Sequence, residues 1–256
     1  MNNDEGILRS QQEGWQEHWN DIYRWQDTAH MVSDFAREVA PFLTAEAAGD
    51  HESPGDRKGS SPDTINRSLL SGGPAEGDLA RSGVRVVELG CGEGTDAAYF
   101  AQQGLNVEGL DFSETALARG RQRYGYLAGL TLRVGDISQS LPYASGSLDG
   151  VYARLTLHYF TDKVTKAIFG EIWRVLKTGG LLAFMCKTTR DHHYGQGQEV
   201  EQDMFVFQDG HVRHFFSEEY ARACLGSDFS IERLVSWEVL KDGNQVGFVK
   251  VMARKR

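Results

Sequence analysis

A chain of 256 residues can bury one sizeable core, and 40% hydrophobic with 25% charged residues is the composition of an ordinary soluble globular protein. With 27 basic against 36 acidic side chains, the net charge of -9 disfavours nucleic acid as a partner. No apolar run reaches the roughly 18 residues of a membrane span and no secretory signal follows Met1, so the expectation is a cytoplasmic protein without membrane association.

The first stretch, "EGWQEHWNDIYRWQDTAHMVSDFAREVAPFL", carries aromatic and aliphatic residues at mixed three- and four-residue steps. It predicts one or two amphipathic helices broken at Pro41, within an N-terminal helical lid over residues 1–48. Trp15 and Trp25 read as core packing, whereas Trp19 and Tyr23 are candidates to cover a site and exclude water. Residues 49–83 hold Pro54, Pro62 and Pro74 without sustained periodicity and predict a flexible linker.

From Val84 onward, short apolar runs alternate with helical segments. "VRVVEL" reads as a strand, "TDAAYFAQQG" as a helix closed by Gly104, and "LNVEGLD" as a second strand. "SETALARGRQRYGYL" opens a helix with Ser113 as N-cap, followed by the strands "LTLRV" and "LDGVYAR" and a helix from about Asp162 to Leu176. "KTGG" should end that helix and "LLAFMCK" form a fifth strand. Strands separated by helices imply right-handed crossovers, and so a doubly wound α/β domain with a parallel sheet over residues 84–256. The tail places Asp-Gly between strand-like runs twice, which predicts hairpins and a final antiparallel pair.

The turn after the first strand holds Gly90, Gly92 and Gly94. Glycine there permits positive φ and lets a ligand touch the main chain, while the following helix points its amide end at any anion. "GEGTDA" satisfies G-x-G-x-x-A, and Asp111 lies about 20 residues on, so a nicotinamide dinucleotide remains open at this point. The surrounding acids tip the balance. Glu88 closes strand one, Asp111 closes strand two and Asp136 follows strand three. A carboxylate after strand two suits ribose hydroxyls, and Glu88 suits an amino group and a cationic centre but would repel a pyrophosphate.

In order, "VVELGCGEGTDAAYFA", "VEGLDFS", "GDI", "LDGVYARLTLHYF" and "RVLKTGGLLAF" resemble the motif series of class I S-adenosylmethionine-dependent methyltransferases, from about Val84 to the C-terminus. The nearest likeness is to the small-molecule group that includes tellurite-resistance and quinone-pathway enzymes. The resemblance implies a Rossmann-like seven-stranded sheet with the last strand antiparallel, and S-adenosylmethionine as cofactor with S-adenosylhomocysteine as product. It further implies that Glu88, Gly90, Cys91 and Gly92 line the methionyl portion and Asp111 the ribose. Phe112 and Ser113 would edge the nucleoside, Asp136 and Ile137 take the adenine, and Arg154 stand near the methionyl end. "WNDIY" resembles the helical lid of small-molecule members.

Methyl transfer from a sulfonium needs in-line positioning and, for a protic acceptor, removal of a proton. The Asn/Asp-Pro-Pro-aromatic motif of amino-methylating enzymes is missing from "ARLTLHYF", and no Pro-Cys nucleophile is present, which points to a small-molecule acceptor. His158 and His193 are candidate bases, with His192 and Tyr194 as candidate substrate contacts where the pocket should open. His192, His193, His211 and His214 show no recognised metal-ligand spacing, so no metal is expected. Cys91, Cys186 and Cys224 form no C-x-x-C pair, and the sequence leaves monomer and homodimer equally open.

Overall fold

The computed structural model describes residues 16–17, 19–24, 31–48, 83–208 and 210–256. The expected linker lies outside the described residues apart from Gly83, as do Trp15 and Trp25. Among the described residues no helix is long and apolar enough to cross a membrane.

Residues 16–17 and 19–24 are helical, and helix α1 spans Asp34–Ala48. The remaining order is β1 (Arg85–Leu89), α2 (Thr95–Gln102), β2 (Asn106–Asp111), α3 (Glu114–Tyr124), β3 (Leu130–Val134) and β4 (Leu148–Arg154). There follow α4 (Asp162–Val175), β5 (Leu176–Lys187), the short strands β6 (Gln198–Glu201), β7 (Met204–Val206) and β8 (Val212–His214), α5 (Glu218–Leu225), β9 (Phe229–Lys241) and β10 (Asn244–Lys255). Seven strands form one sheet in the order β3-β2-β1-β4-β5-β10-β9. All pairs up to β5 are parallel, and β10 is antiparallel to both neighbours, so one strand of seven runs against the rest. Strand order reverses between β1 and β4, and the carboxyl ends of those two strands are where an open α/β sheet places its ligand.

Alternation along the strands builds two cores. Val87, Val151 and Phe184 face one side with Ile168, Phe169 and Ile172 of α4, whereas Val86, Tyr152 and Ala183 face the other with Phe100 of α2 and Phe35, Val39 and Leu43 of α1. Helix α1 therefore belongs to the core, and among the described N-terminal residues the helical residues 16–17 and 19–24, with Met31, are left to cover a site.

Two boundary expectations need correction. Pro41 does not break a helix but lies inside α1. A proline forfeits one backbone bond, yet the buried series Phe35, Ala36, Val39, Ala40 and Leu43 continues past it, and docking that stripe outweighs the loss. The fifth strand starts at Leu176, five residues before Leu181, because Leu176 pairs with Leu148 as soon as α4 ends. The register then shifts and pairing resumes with Leu181 opposite Gly150.

Of the two Asp-Gly signals in the tail, Asp242-Gly243 is described, whereas Asp209 of the other lies outside the described residues. β9 and β10 form a long hairpin through Asp242 and Gly243, and β7 pairs β8 in a separate three-stranded sheet with β6.

Candidate functional site

At the carboxyl end of β1 the chain turns through Gly90, Gly92 and Gly94, whose φ values are +66, +55 and +75°. Each is in the left-handed region that other residues enter at a penalty, and each has its own steric reason to lack a side chain. A Cβ on Gly90 would run into the side chain of Thr156, one on Gly92 into the Tyr23 hydroxyl, and one on Gly94 would stand 2.7 Å from a Leu132 methyl. Gly90 and Gly92 thus clear space at the sheet's rim, while Gly94 serves packing. The backbone N–H groups of Gly90 and Cys91 both donate to the Leu110 carbonyl, at 2.8 and 3.0 Å, and fix the loop against β2.

A cavity of about 390 Å³ opens above this loop. Its wall includes Glu88, Gly90, Cys91, Gly92, Asp111, Phe112, Asp136, Ile137 and Arg154, together with Trp19 and Tyr23. Ser113 is wholly buried behind it, where its hydroxyl accepts from Ala116 N–H as the cap of α3 and donates to Asn20 Oδ1 at 2.7 Å. Asn20 Oδ1 also accepts from Thr115 N–H, and Gln16 donates to the Phe112 carbonyl at 2.9 Å. The helical segment at 16–24 is thereby tied to the β2–α3 loop, with Tyr23 standing over Gly92.

The carboxylates have different surroundings. Asp111, 8% exposed, accepts from Gly92 N–H and Ser113 N–H, both at 2.8 Å; burial pushes its carboxyl up while those amides pull it back. Asp136 is exposed and accepts from Ser138 N–H at 2.8 Å. Glu93 is engaged by Arg123 at 2.6 Å and Arg119 at 3.4 Å.

Glu88 stands apart. It is 4% exposed, and its Oε2 has no hydrogen-bond partner. Burial first, and then the charge of Asp96, hold its carboxyl well above the ordinary range, with the Ala97 amide and Arg154 acting in the other direction.

Asp96 was not singled out by the sequence, where an acid in the first turn of a helix needs no further reason. In the structure it accepts from Ser33 N–H (2.8 Å), Ser33 Oγ (2.7 Å) and Tyr152 Oη (2.9 Å), which joins the start of α1 to the cavity wall. Leu155, just past β4, takes a φ of +55° and also lines the cavity. A non-glycine residue in that conformation stores strain beside the site.

The histidines divide. His158 lies in a 3-10 turn, 1% exposed, with its ring centroid 4.5 Å from that of Tyr159, a cavity residue. Burial, together with the charges of Arg213 and Lys187, pushes it well below its ordinary value, and Nδ1 has no partner. His193 and His192 sit on the turn after β5 and do not line the cavity. His193 Nδ1 is 3.0 Å from Asp191 Oδ1, and His192 Nδ1 is 2.9 Å from the Gln245 carbonyl. Tyr194, on the same turn, donates to Asp203 at 2.6 Å. His192, His193 and Asp191 offer three potential metal-ligand atoms within 4.8 Å of one another, but Asp191 already accepts from Lys187 and from Gly247 N–H.

What can this cavity hold? An unpartnered carboxylate oxygen, bare main chain at Gly90 and a carboxylate pinned by two amides fit a ligand carrying an amino group, a cationic centre and paired hydroxyls. That is the chemistry of S-adenosylmethionine, and the residues present fit it.

Comparison with known proteins agrees. Residues 86–180 match the methyltransferase domain family. An uncharacterized methyltransferase of Synechocystis sp. is 34% identical over 115 residues, covering 44% of this chain and 51% of that protein. A malonyl-[acyl-carrier protein] O-methyltransferase of Pectobacterium atrosepticum is 36% identical over 108 residues, covering 41% and 39%. The chain spans about half or less of the length of these curated relatives. Among solved structures, an S-adenosylmethionine-dependent methyltransferase from Mesorhizobium loti superposes with a TM-score of 0.56 at 25% identity, covering 68% of this chain and 91% of that one.

Proposed function

Since the chain belongs to the class I S-adenosylmethionine-dependent methyltransferase superfamily, we propose that it transfers a methyl group to a small-molecule acceptor at the cavity above Gly90. The observation that carries the reading is Glu88: a buried carboxylate oxygen without a partner, on a residue that lines a cavity floored by glycine, gains the missing donor when a ligand's amino group binds there.

In this reading Glu88, Gly90, Cys91 and Gly92 hold the amino-acid end of the cofactor, with Arg154 beside them. Asp111, oriented by two amides, accepts from the ribose hydroxyls. Asp136 and Ile137 take the adenine, and Phe112 covers the nucleoside from a loop that Ser113 fixes by capping α3. The bound cofactor supplies an electrophilic methyl group on sulfur. The chain's part is to exclude water and align the acceptor. Trp19 does so from above, packed edge-on against Tyr159 with centroids 5.1 Å apart, and Tyr23 closes over Gly92. Where the acceptor carries a proton, His158 is the nearer base: it is neutral at pH 7, and its unpartnered Nδ1 lies one ring away from the cavity. His193, held by Asp191 beyond the cavity wall, is the more distant candidate, and His192 and Tyr194 share its turn.

Calorimetry with the full chain tests the cofactor assignment: S-adenosylmethionine should bind at micromolar concentration and NADH should not. Release of homocysteine from the product, followed over a panel of thiols, phenols, amines and carboxylic acids, tests catalysis. A chain that binds S-adenosylmethionine but methylates nothing would instead be a cofactor-binding regulatory protein.

A further inference from the structure

The cavity follows the rim of the sheet, and its two ends differ in chemistry. In the strand order β3-β2-β1-β4, Asp136 comes after β3, Asp111 ends β2 and Glu88 lies in β1, so the cofactor half carries the acids. Arg154, the last residue of β4, acts on the charge of Glu88 and belongs to that half. Past β4 the lining changes to Leu155, Thr156, Tyr159 and Phe160, with Trp19 packed edge-on against Tyr159 at 5.1 Å. The polar atoms of this wall are engaged elsewhere. Thr156 Oγ1 donates to the carbonyls of Gly90 and Arg154, 3.3 Å from each. The Tyr159 hydroxyl is hydrogen-bonded to Arg213, which does not line the cavity. Trp19, Leu155, Tyr159 and Phe160 are each only half-buried, which leaves ring and aliphatic surface at the cavity for a ligand to cover. An uncharged ring covers it favourably, because it removes apolar surface from water and can meet Tyr159 and Trp19 edge to face. A charged group would lose hydration against side chains that have no charge to offer in return.

We propose that the methyl acceptor is an uncharged aromatic molecule whose ring lies against Tyr159, Phe160 and Trp19 at the β4 end of the cavity. The inference rests on the methyltransferase reading and deepens it by naming the acceptor's class. Thr156 ties this wall to the Gly90 carbonyl, so a ring held here borders the part of the cavity assigned to the cofactor's methionyl end. Leu155, kept beside it at a φ of +55°, is the strained residue of the same wall.

The full chain, saturated with S-adenosylhomocysteine at pH 7, is titrated with two matched pairs of probes, phenol against cyclohexanol and benzamide against benzoate, and binding is followed by saturation-transfer NMR. Phenol should bind about 2- to 10-fold more tightly than cyclohexanol, which has a similar size but no aromatic face. Benzamide should bind at least about tenfold more tightly than benzoate, its charged counterpart. Tyr159→Leu should remove the preference for phenol and Tyr159→Phe should keep it. Trp19→Leu, at a half-exposed position, should diminish it as well and serves if Tyr159→Leu fails to fold. Equal affinity for phenol and cyclohexanol, benzoate binding as tightly as benzamide, no saturable binding of any probe, or a preference undiminished in every leucine variant that folds would overturn the proposal. Failure of S-adenosylhomocysteine to bind would instead count against the methyltransferase reading; the same titrations on the unliganded chain would then still decide whether this wall takes an uncharged ring.

Discussion

Replacing Glu88 by glutamine should stabilise the unliganded protein and weaken its hold on the cofactor. In the unfolded chain the carboxyl ionises near the ordinary 4.5 of a glutamate, but in the folded chain burial holds its pKa well above that. A raised folded-state pKa means folding takes up a proton, so the residue costs nothing below the unfolded value. Above it the penalty grows by about 1.4 kcal/mol per pH unit until the folded value is reached. At pH 7 that is at most about 3.5 kcal/mol, and glutamine, which cannot ionise, avoids it. For a chain of this size about 1–3 kcal/mol corresponds to roughly 2–12 °C in Tm. Calorimetric scans of the unliganded proteins should therefore show Glu88→Gln the more stable at pH 7, with the gap closing as the pH falls to about 4.5. Removing a charge-assisted contact should weaken S-adenosylmethionine by about 10- to 100-fold in titration calorimetry. If the variant is the less stable at pH 7, or if cofactor affinity is unchanged, the account of Glu88 as an unpaired carboxylate awaiting a ligand is wrong.

Gly94→Ala should lower stability by about 2–4 kcal/mol in urea unfolding, from left-handed strain plus overpacking against Leu132, yet leave cofactor affinity of the folded fraction unchanged. An affinity loss there would mean that the third glycine also touches the ligand. Asp96→Asn should cost about 1–3 kcal/mol, because the amide nitrogen cannot accept from Ser33 or Tyr152; an unaltered Tm would show that this link between α1 and the cavity carries no load. His158→Ala should slow turnover of a protic acceptor by about 100-fold with little change in cofactor affinity, and full activity would remove His158 as the base.

How much of this could be read from the sequence? The alternation of apolar runs and helical stretches from Val84 was enough to draw the sheet, since each buried strand of such a domain is short and continuous and its crossovers are helical. Asp242-Gly243 likewise announced the β9–β10 hairpin, and the strand-like runs on either side of Gly210 announced the pairing of β7 with β8. Pro41 misled because proline was weighed as a local breaker, although the apolar series from Phe35 to Leu43 runs past it and records a docked helix face. Strand β6 has only four residues, too few for a two-residue period to stand out, and α5 spans two turns.

At the site, residues next to the glycine loop were legible because the backbone itself brings β1, β2 and β3 ends together. Groups joined by long-range packing were not. Asp96 reaches Ser33, 63 residues earlier, and Arg213 reaches Tyr159 from an inserted sheet, and neither pairing leaves a local pattern. His158, just past β4, and His192 and His193, after β5, were expected at one pocket because both strands end at the same edge of the sheet. The turn after β5 instead directs His193 to Asp191 and His192 to the Gln245 carbonyl, leaving His158 nearest the cavity.

The most direct test is a crystal structure of the full chain with S-adenosylhomocysteine. Density should place the ribose hydroxyls on Asp111, the adenine beside Asp136 and the amino group at Glu88 above Gly90. Ligand density elsewhere on the molecule, or a Glu88 that stays unpartnered in the complex, would contradict the account.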